Sequence, residues 1–145
     1  MSSEKYIGNY LLSNDKSKLQ LNYIHHYLSV ESYWAKNIPI DIVKTSIDGS
    51  LCFGIYTDNQ QVGFARVITD QATFGYLADV FVDKDHRGKG LSKELMKFIL
   101  EQDFTKKLRR LMLATLDAHR LYARFGFESQ EGNKRLMGIK FFDEY

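Results

Sequence analysis

The sequence predicts a single α/β domain, α+β in the order of its elements, and three observations predict it. Two runs rich in β-branched and aromatic residues, 51–57 and 61–69, make a hairpin about Asp58-Asn59, a pair suited to a tight turn. Residues 78–100, ADVFVDKDHRGKGLSKELMKFIL, read as a buried strand, a basic loop with two glycines and an amphipathic helix. A length of 145 residues with 44% hydrophobic and 14% aromatic content suits one domain with a real core.

The elements follow in order. A first strand is expected over 6–12, with a turn at Ser13-Asn14-Asp15, and helices over 19–28 and 40–47 around the single proline, Pro39. The hairpin comes next, then a strand over 74–82 that ends in Val80, Phe81 and Val82, as a strand covered on both faces would. The helix after the loop is expected to run to about Gln102. Leu91, Leu95, Met96 and Ile99 recur at helical spacing while Lys93, Glu94, Lys97 and Glu101 face away. A strand over 110–115, a helix over 118–125 with Asp117 as N-cap and Gly126-Phe127 as its stop, and a final strand near 134–141 complete the domain. No linker, repeat or low-complexity tract interrupts it.

Charge and cysteine content narrow the function classes. The net charge of +2 comes from 20 basic and 18 acidic residues mixed along the chain, which argues against nucleic acid as the main partner. The opening MSSEKYIGNY is not a signal sequence and no apolar stretch approaches the length of a bilayer span, so no membrane is expected and the cytoplasm is the default location. Cys52, the lone cysteine, excludes an intrachain disulfide and leaves no thiolate cluster for zinc. It sits in the apolar run Leu51-Cys52-Phe53, as a buried strand residue rather than a nucleophile, and no metal is expected.

The strand, loop and helix of 78–100 build a phosphate site. Free backbone N–H groups and the positive end of the helix dipole meet at the start of the helix. Gly88 and Gly90 let that backbone come close to an anion, and Arg87 and Lys89 add charge that a phosphate can pair with. A basic surface turn before an ordinary helix would look the same. Neither G-x-x-x-x-G-K-[ST] nor G-x-G-x-x-G is present, since Lys93 stands where the last glycine would be.

Arg87-Gly88-Lys89-Gly90-Leu91-Ser92 resembles the Q/R-x-x-G-x-G/A signature of the GNAT superfamily of N-acetyltransferases, with Ser92 in place of the usual Gly or Ala. A second segment, Ala118-His119-Arg120-Leu121-Tyr122-Ala123-Arg124-Phe125-Gly126-Phe127, resembles that family's A-x-x-L-Y-x-x-x-G-F, with Thr115 where the family often has Asn. The resemblance implies a mixed, mostly antiparallel central sheet flanked by helices, acetyl-CoA as cosubstrate and transfer to an amine by direct attack in a ternary complex. It also implies that Arg87, Gly88, Lys89, Gly90, Leu91, Ser92 and Lys93 hold the pyrophosphate. Backbone N–H groups at Val80 and Val82 would bind the acetyl carbonyl and the pantetheine amide, and Tyr122 would be the general acid for the departing thiolate.

An amine of pKa about 10.4 lies some 3.4 units above pH 7, so removing its proton costs roughly 4.6 kcal/mol unless a base or desolvation helps. Asp79, beside the acyl-binding point, is the first candidate for that work and Tyr76 the second. Tyr33 and Trp34, between two expected helices, and Phe74 at the entry to the central strand supply aromatic walls for the acceptor, although core packing explains them equally well. His25-His26 and His86 are expected at the surface, and His119 lies beside the catalytic segment. A small-molecule or peptide amine is the expected partner, and a homodimer is left open. The rival readings are a different acyl group on the same carrier, a non-catalytic acyl-CoA-binding or sensing module, and a basic nucleotide-binding module.

Overall fold

Short apolar runs broken by turn residues lay down the first four strands as successive hairpins. In the computed structural model, which describes residues 2–145, β1 (Glu4–Ile7) turns at Gly8-Asn9 into β2 (Tyr10–Ser13). The single strand expected over 6–12 is therefore corrected to a hairpin. Gly8 takes φ +57°, which glycine adopts without a Cβ clash, and the chain reverses there rather than at Ser13. β3 (Leu51–Thr57) and β4 (Gln60–Thr69) form the expected hairpin, with Asp58 and Asn59 both left-handed at φ 50° and 62°.

β5 (Phe74–Val82) pairs antiparallel with β4, and β6 (Arg110–Leu113) pairs parallel with β5. The six strands lie in chain order in one mixed, mostly antiparallel sheet. β6 stops two residues short of its expected end. Residues 134–141 do not form a strand: every residue from 134 to 145 is exposed, and the backbone of 130–136 closes its own turns instead, Asn133 N–H donating to Gln130 O at 2.9 Å.

One face of the sheet carries α1 (Leu21–His26) and α2 (Ile40–Asp48), the other α3 (Leu91–Leu100). α4 (Asp103–Lys107) is a short further turn, and α5 (His119–Ala123) follows β6. The helix expected to Leu28 changes form at His26 and continues as a π-helical turn, Tyr27–Glu31, closed by Ser32 N–H on Tyr27 O at 2.8 Å. The wider turn puts Tyr27 and Leu28 in the core and leaves Val30 outside. Tyr27 stacks on Phe81 of β5 with ring centroids 3.7 Å apart. A pair of that kind adds about 1 kcal/mol beyond its buried area. Leu12, Phe53, Ile55, Val67, Leu95 and Ile99 fill the opposite layer beneath α3.

Cys52 is buried under α2, and burial pushes its thiol up from 9.0 to about 11. The folded pKa is raised, so this contribution to stability is complete below pH 9.0 and is lost as pH rises toward 11. The folded protein should leave Cys52 unreactive toward an aromatic disulfide reagent at pH 8 and release one thiol only in denaturant. Rapid stoichiometric labelling without denaturant would contradict this burial.

Candidate active site

The site begins where the β5–β6 pair parts. The two strands are in register from Phe74↔Arg110 to Leu77↔Leu113, and β5 then runs on to Val82 without its neighbour. Residues 78–82 of β5 have no strand partner on that side. At the same point the β4–β5 register shifts between Phe64 and Arg66, and Asp79 takes φ +53°. An aspartate in the left-handed region inside a strand is a strained choice, on the order of 1–3 kcal/mol, and it needs support from outside the backbone.

Two side chains supply that support. Arg66 Nε donates to Asp79 Oδ2 at 2.7 Å, and Trp34 Nε1 donates to Asp79 Oδ1 at 2.8 Å. Arg66 also donates to Ser50 Oγ at 3.0 Å. Both oxygens of the carboxylate expected to take a proton from the acceptor thus already accept hydrogen bonds. The arginine was missed in the sequence. Its signal was a charged residue interrupting the apolar β4 run Val62-Gly63-Phe64-Ala65-Arg66-Val67, where only 15% of its side chain is exposed.

The loop at the far end of β5 is fixed from two directions. Arg87 Nε donates to Val82 O at 3.0 Å and its terminal nitrogen donates to the Tyr27 hydroxyl at 2.8 Å, so the guanidinium is held against the end of the strand. The Tyr10 hydroxyl on β2 bonds His86 Nδ1 at 2.8 Å and accepts from Lys89 Nζ at 3.1 Å. His86 is therefore half-buried in a bond rather than free at the surface. Gly90, at φ +76°, is the residue before α3, and no side chain caps that helix. A Cβ built on Gly88 or Gly90 would meet nothing within 4 Å. Their side chains are absent to leave access and to allow the left-handed backbone, not to relieve packing.

A cavity of about 180 Å³ opens there. Val82, His86, Arg87, Gly88 and Gly90 line one part, and Leu91, Ser92, Lys93 and Leu121 the rest. Leu121 belongs to α5, whose next residue, Tyr122, packs into the core layer beneath α3. Tyr122 is 9% exposed and lies edge-on to Phe127. Burial first, then Tyr33 and Asp117, raise its hydroxyl pKa above the ordinary tyrosine value, so it holds its proton at neutral pH. Asp117 does not cap α5. The capping position is Ala118, whose N–H donates to Thr115 Oγ1 at 3.0 Å, because the helix starts one residue later than expected.

Tyr33 and Trp34 sit on the loop between the π-helical turn and α2, edge to face with centroids 5.0 Å apart, and both are exposed. Leu116 N–H donates to the Tyr33 hydroxyl at 3.3 Å, so this loop reaches across to the start of α5. Tyr76 is half-buried and in register with Met112, and Phe74, at the strand's start, is exposed at 42%. The structure thus gathers Tyr33, Trp34, Asp79 and Tyr122 around the parting of β5 and β6, while Phe74 lies five residues up the strand from the bulge. Of the remaining histidines, His25 bonds Ile38 O at 3.0 Å, and His26 and His119 are exposed. Among the described residues, no group of three or more His, Cys, Asp or Glu side chains is placed to hold a metal ion, and no helix is long and apolar enough to cross a membrane.

Comparison with known proteins supports the same architecture. The family model for the acetyltransferase (GNAT) family matches residues 21–127. A Gibberella zeae protein provisionally named an acetyltransferase is 33% identical over 81% of this chain and 77% of its own. A crystal structure from Xanthomonas campestris pv. campestris, provisionally named an acetyltransferase of the GNAT family, superimposes with a TM-score of 0.89 at 47% identity over 93% of this chain and 95% of that one. A Clostridium acetobutylicum structure with acetyl-CoA shares the fold, with a TM-score of 0.65 at 15% identity over 97% of this chain and 96% of that one.

Proposed function

This chain belongs to the acetyltransferase (GNAT) family and is an N-acetyltransferase, and on that premise we propose that it transfers acetyl directly from acetyl-CoA to a primary amine with an apolar or aromatic body, both substrates being bound together. The single observation that supports this most is the bulge and parting of β5, which ends at a glycine-lined cavity that Leu121 also lines, with the protonated Tyr122 next to Leu121 on α5. A sensing module needs the cavity but not an acid beside it.

In this reading the N–H groups of Leu91, Ser92 and Lys93, unpaired at the start of α3, take the pyrophosphate together with Arg87 and Lys89. Acetyl-CoA supplies a thioester whose carbonyl carbon is open to attack. The N–H groups at Val80 and Val82 orient the acetyl carbonyl and the adjoining amide, and the former stabilises the charge that grows on oxygen. The Tyr122 hydroxyl gives its proton to the sulfur. Asp79, bonded to Arg66 and Trp34, holds the bulge that presents those N–H groups. The acceptor's proton leaves through water at the Tyr76 hydroxyl, the second candidate from the sequence.

Tyr33 and Trp34 offer aromatic faces to the acceptor, and the carboxylate beside them is already paired, so little remains to bind several ammonium groups. In a thiol-release assay with acetyl-CoA across amine classes, kcat/KM for phenethylamine-like acceptors should exceed that for spermidine-like ones by about tenfold or more, a difference of roughly 1.4 kcal/mol. A preference for spermidine would overturn the assigned acceptor class, and no thiol release with any amine would overturn the catalytic reading.

A further inference from the structure

A second cavity, of about 480 Å³, lies between the end of β2, the start of β3 and the turn from α3 into α4. Gln71, which lines it, precedes β5, whereas the glycine loop follows the far end of that strand. α3 spans the same distance: it begins at the first cavity, after Gly90, and meets the second only beyond its end, at Gln102. No residue lines both. The volume is that of a small-molecule site. Its walls are braced by bonds between distant segments, with Asn14 Oδ1 accepting from Ser3 N–H at 2.6 Å and Asn14 Nδ2 donating to Gln102 Oε1 at 3.3 Å. Lys16 Nζ donates to Ile47 O at 2.8 Å and to Ser50 O at 2.7 Å, so its donors are spent while its charge offsets one of the two carboxylates in the wall, Asp15 and Asp103.

We propose that this cavity is a second binding site, for a neutral sugar of hexose size. The unspent groups of the wall are mixed donors and acceptors: the Gln71 amide, the Asp103 carboxylate, and Asp15 Oδ2, since Asp15 Oδ1 already takes Ser17 N–H and Oγ. Hydroxyls, which donate and accept at once, match such a set, and the near balance of charge gives an ion no advantage. Leu51 and Phe104 supply an apolar side for the C–H face of a sugar ring, with Phe104 stacked on buried Phe53 at 6.5 Å between centroids. A separate observation marks the inner end. Tyr56 is 6% exposed, and its hydroxyl is a buried group without a hydrogen-bond partner among the described residues. Such a group costs stability until something bonds it. The ring folds back along β3 over Gly54, where a Cβ would strike it, toward Cys52 on the same face, and Cys52 lines the cavity. A sugar hydroxyl seated at that end, directly or through one water, would give Tyr56 its missing partner. The proposal does not depend on the acceptor or on the catalytic reading.

Amide chemical shifts of the full chain, titrated with glucose, galactose, mannose and myo-inositol, test it. About twelve non-hydrogen atoms at modest ligand efficiency correspond to a dissociation constant of about 2 mM, so at least one of the four should saturate in that range, with shifts at Asn14, Gln71 and Gln102. The affinity should be the same with acetyl-CoA present, because the two cavities share no residue. Gln71→Gly with Asp103→Ala removes two lining side chains at little risk to the fold, since glycine suits the Gln71 φ of 62° and Asp103 is exposed. That variant should bind the sugar at least tenfold more weakly and acetyl-CoA unchanged. Tyr56→Phe, which keeps the ring, should also weaken the sugar. Saturation by none of the four, an affinity untouched by the paired variant or by Tyr56→Phe, or tighter binding of the charged probes 1,4-diaminobutane or citrate would each overturn the proposal.

Discussion

Tyr122→Phe should lower turnover by about 10² while leaving acetyl-CoA affinity nearly unchanged, because it removes one hydroxyl and keeps the buried ring against Phe127. The raised pKa gives this loss a pH signature. An acid works only while it carries its proton, so the native rate should persist past the ordinary tyrosine value near 10 before it falls, and the variant should lack that alkaline limb. Stability follows the same sign: the protonated hydroxyl's contribution is complete below about pH 10 and is lost as pH rises through the raised value. Pre-steady-state measurement of thiol release isolates the chemical step. Full activity of the variant at that step would move proton donation to water or to His119.

Gly90→Asp should weaken acetyl-CoA binding by more than tenfold without unfolding the domain. The substitution forces a side chain onto a φ of +76° and places a carboxylate among the N–H groups at the start of α3. Gly90→Asn separates the two effects, since asparagine tolerates the left-handed region and carries no charge. It should keep most of the affinity. Calorimetric titration reads both variants, and an unchanged affinity in folded Gly90→Asp would remove the loop from the site.

The glycine loop before α3 and the end of β5 were legible because their pattern is local: the glycines, the basic residues and the helical spacing after them lie within one stretch of chain. The same holds for the β3–β4 hairpin, whose Asp58-Asn59 turn states its own conformation. Gly8-Asn9 carried a comparable signal that was read through, because the apolar residues on either side look continuous when the glycine is ignored. The last strand failed for a different reason. Its apolar alternation is real, yet alternation fixes a preference for pairing and not the location of the partner edge. Arg66 and the bonds at Asp79 were beyond reach because they join β4, β5 and the loop before α2, residues 13 and 45 positions apart in the chain. The tether of Lys89 and His86 to Tyr10 spans 79 and 76 positions and was hidden in the same way.

Trp34 bonds the one residue whose left-handed backbone shapes the bulge, and it also stands exposed beside Tyr33, where the proposed acceptor would bind. A single side chain therefore answers to two selective pressures. Exchanging it to admit a new amine would also loosen the backbone that orients the acetyl group, so variants selected for altered acceptors should become slow catalysts first and regain speed only through second changes near Arg66. Acceptor range in this enzyme would then drift more readily at Tyr33, which makes no bond to the bulge, than at its neighbour.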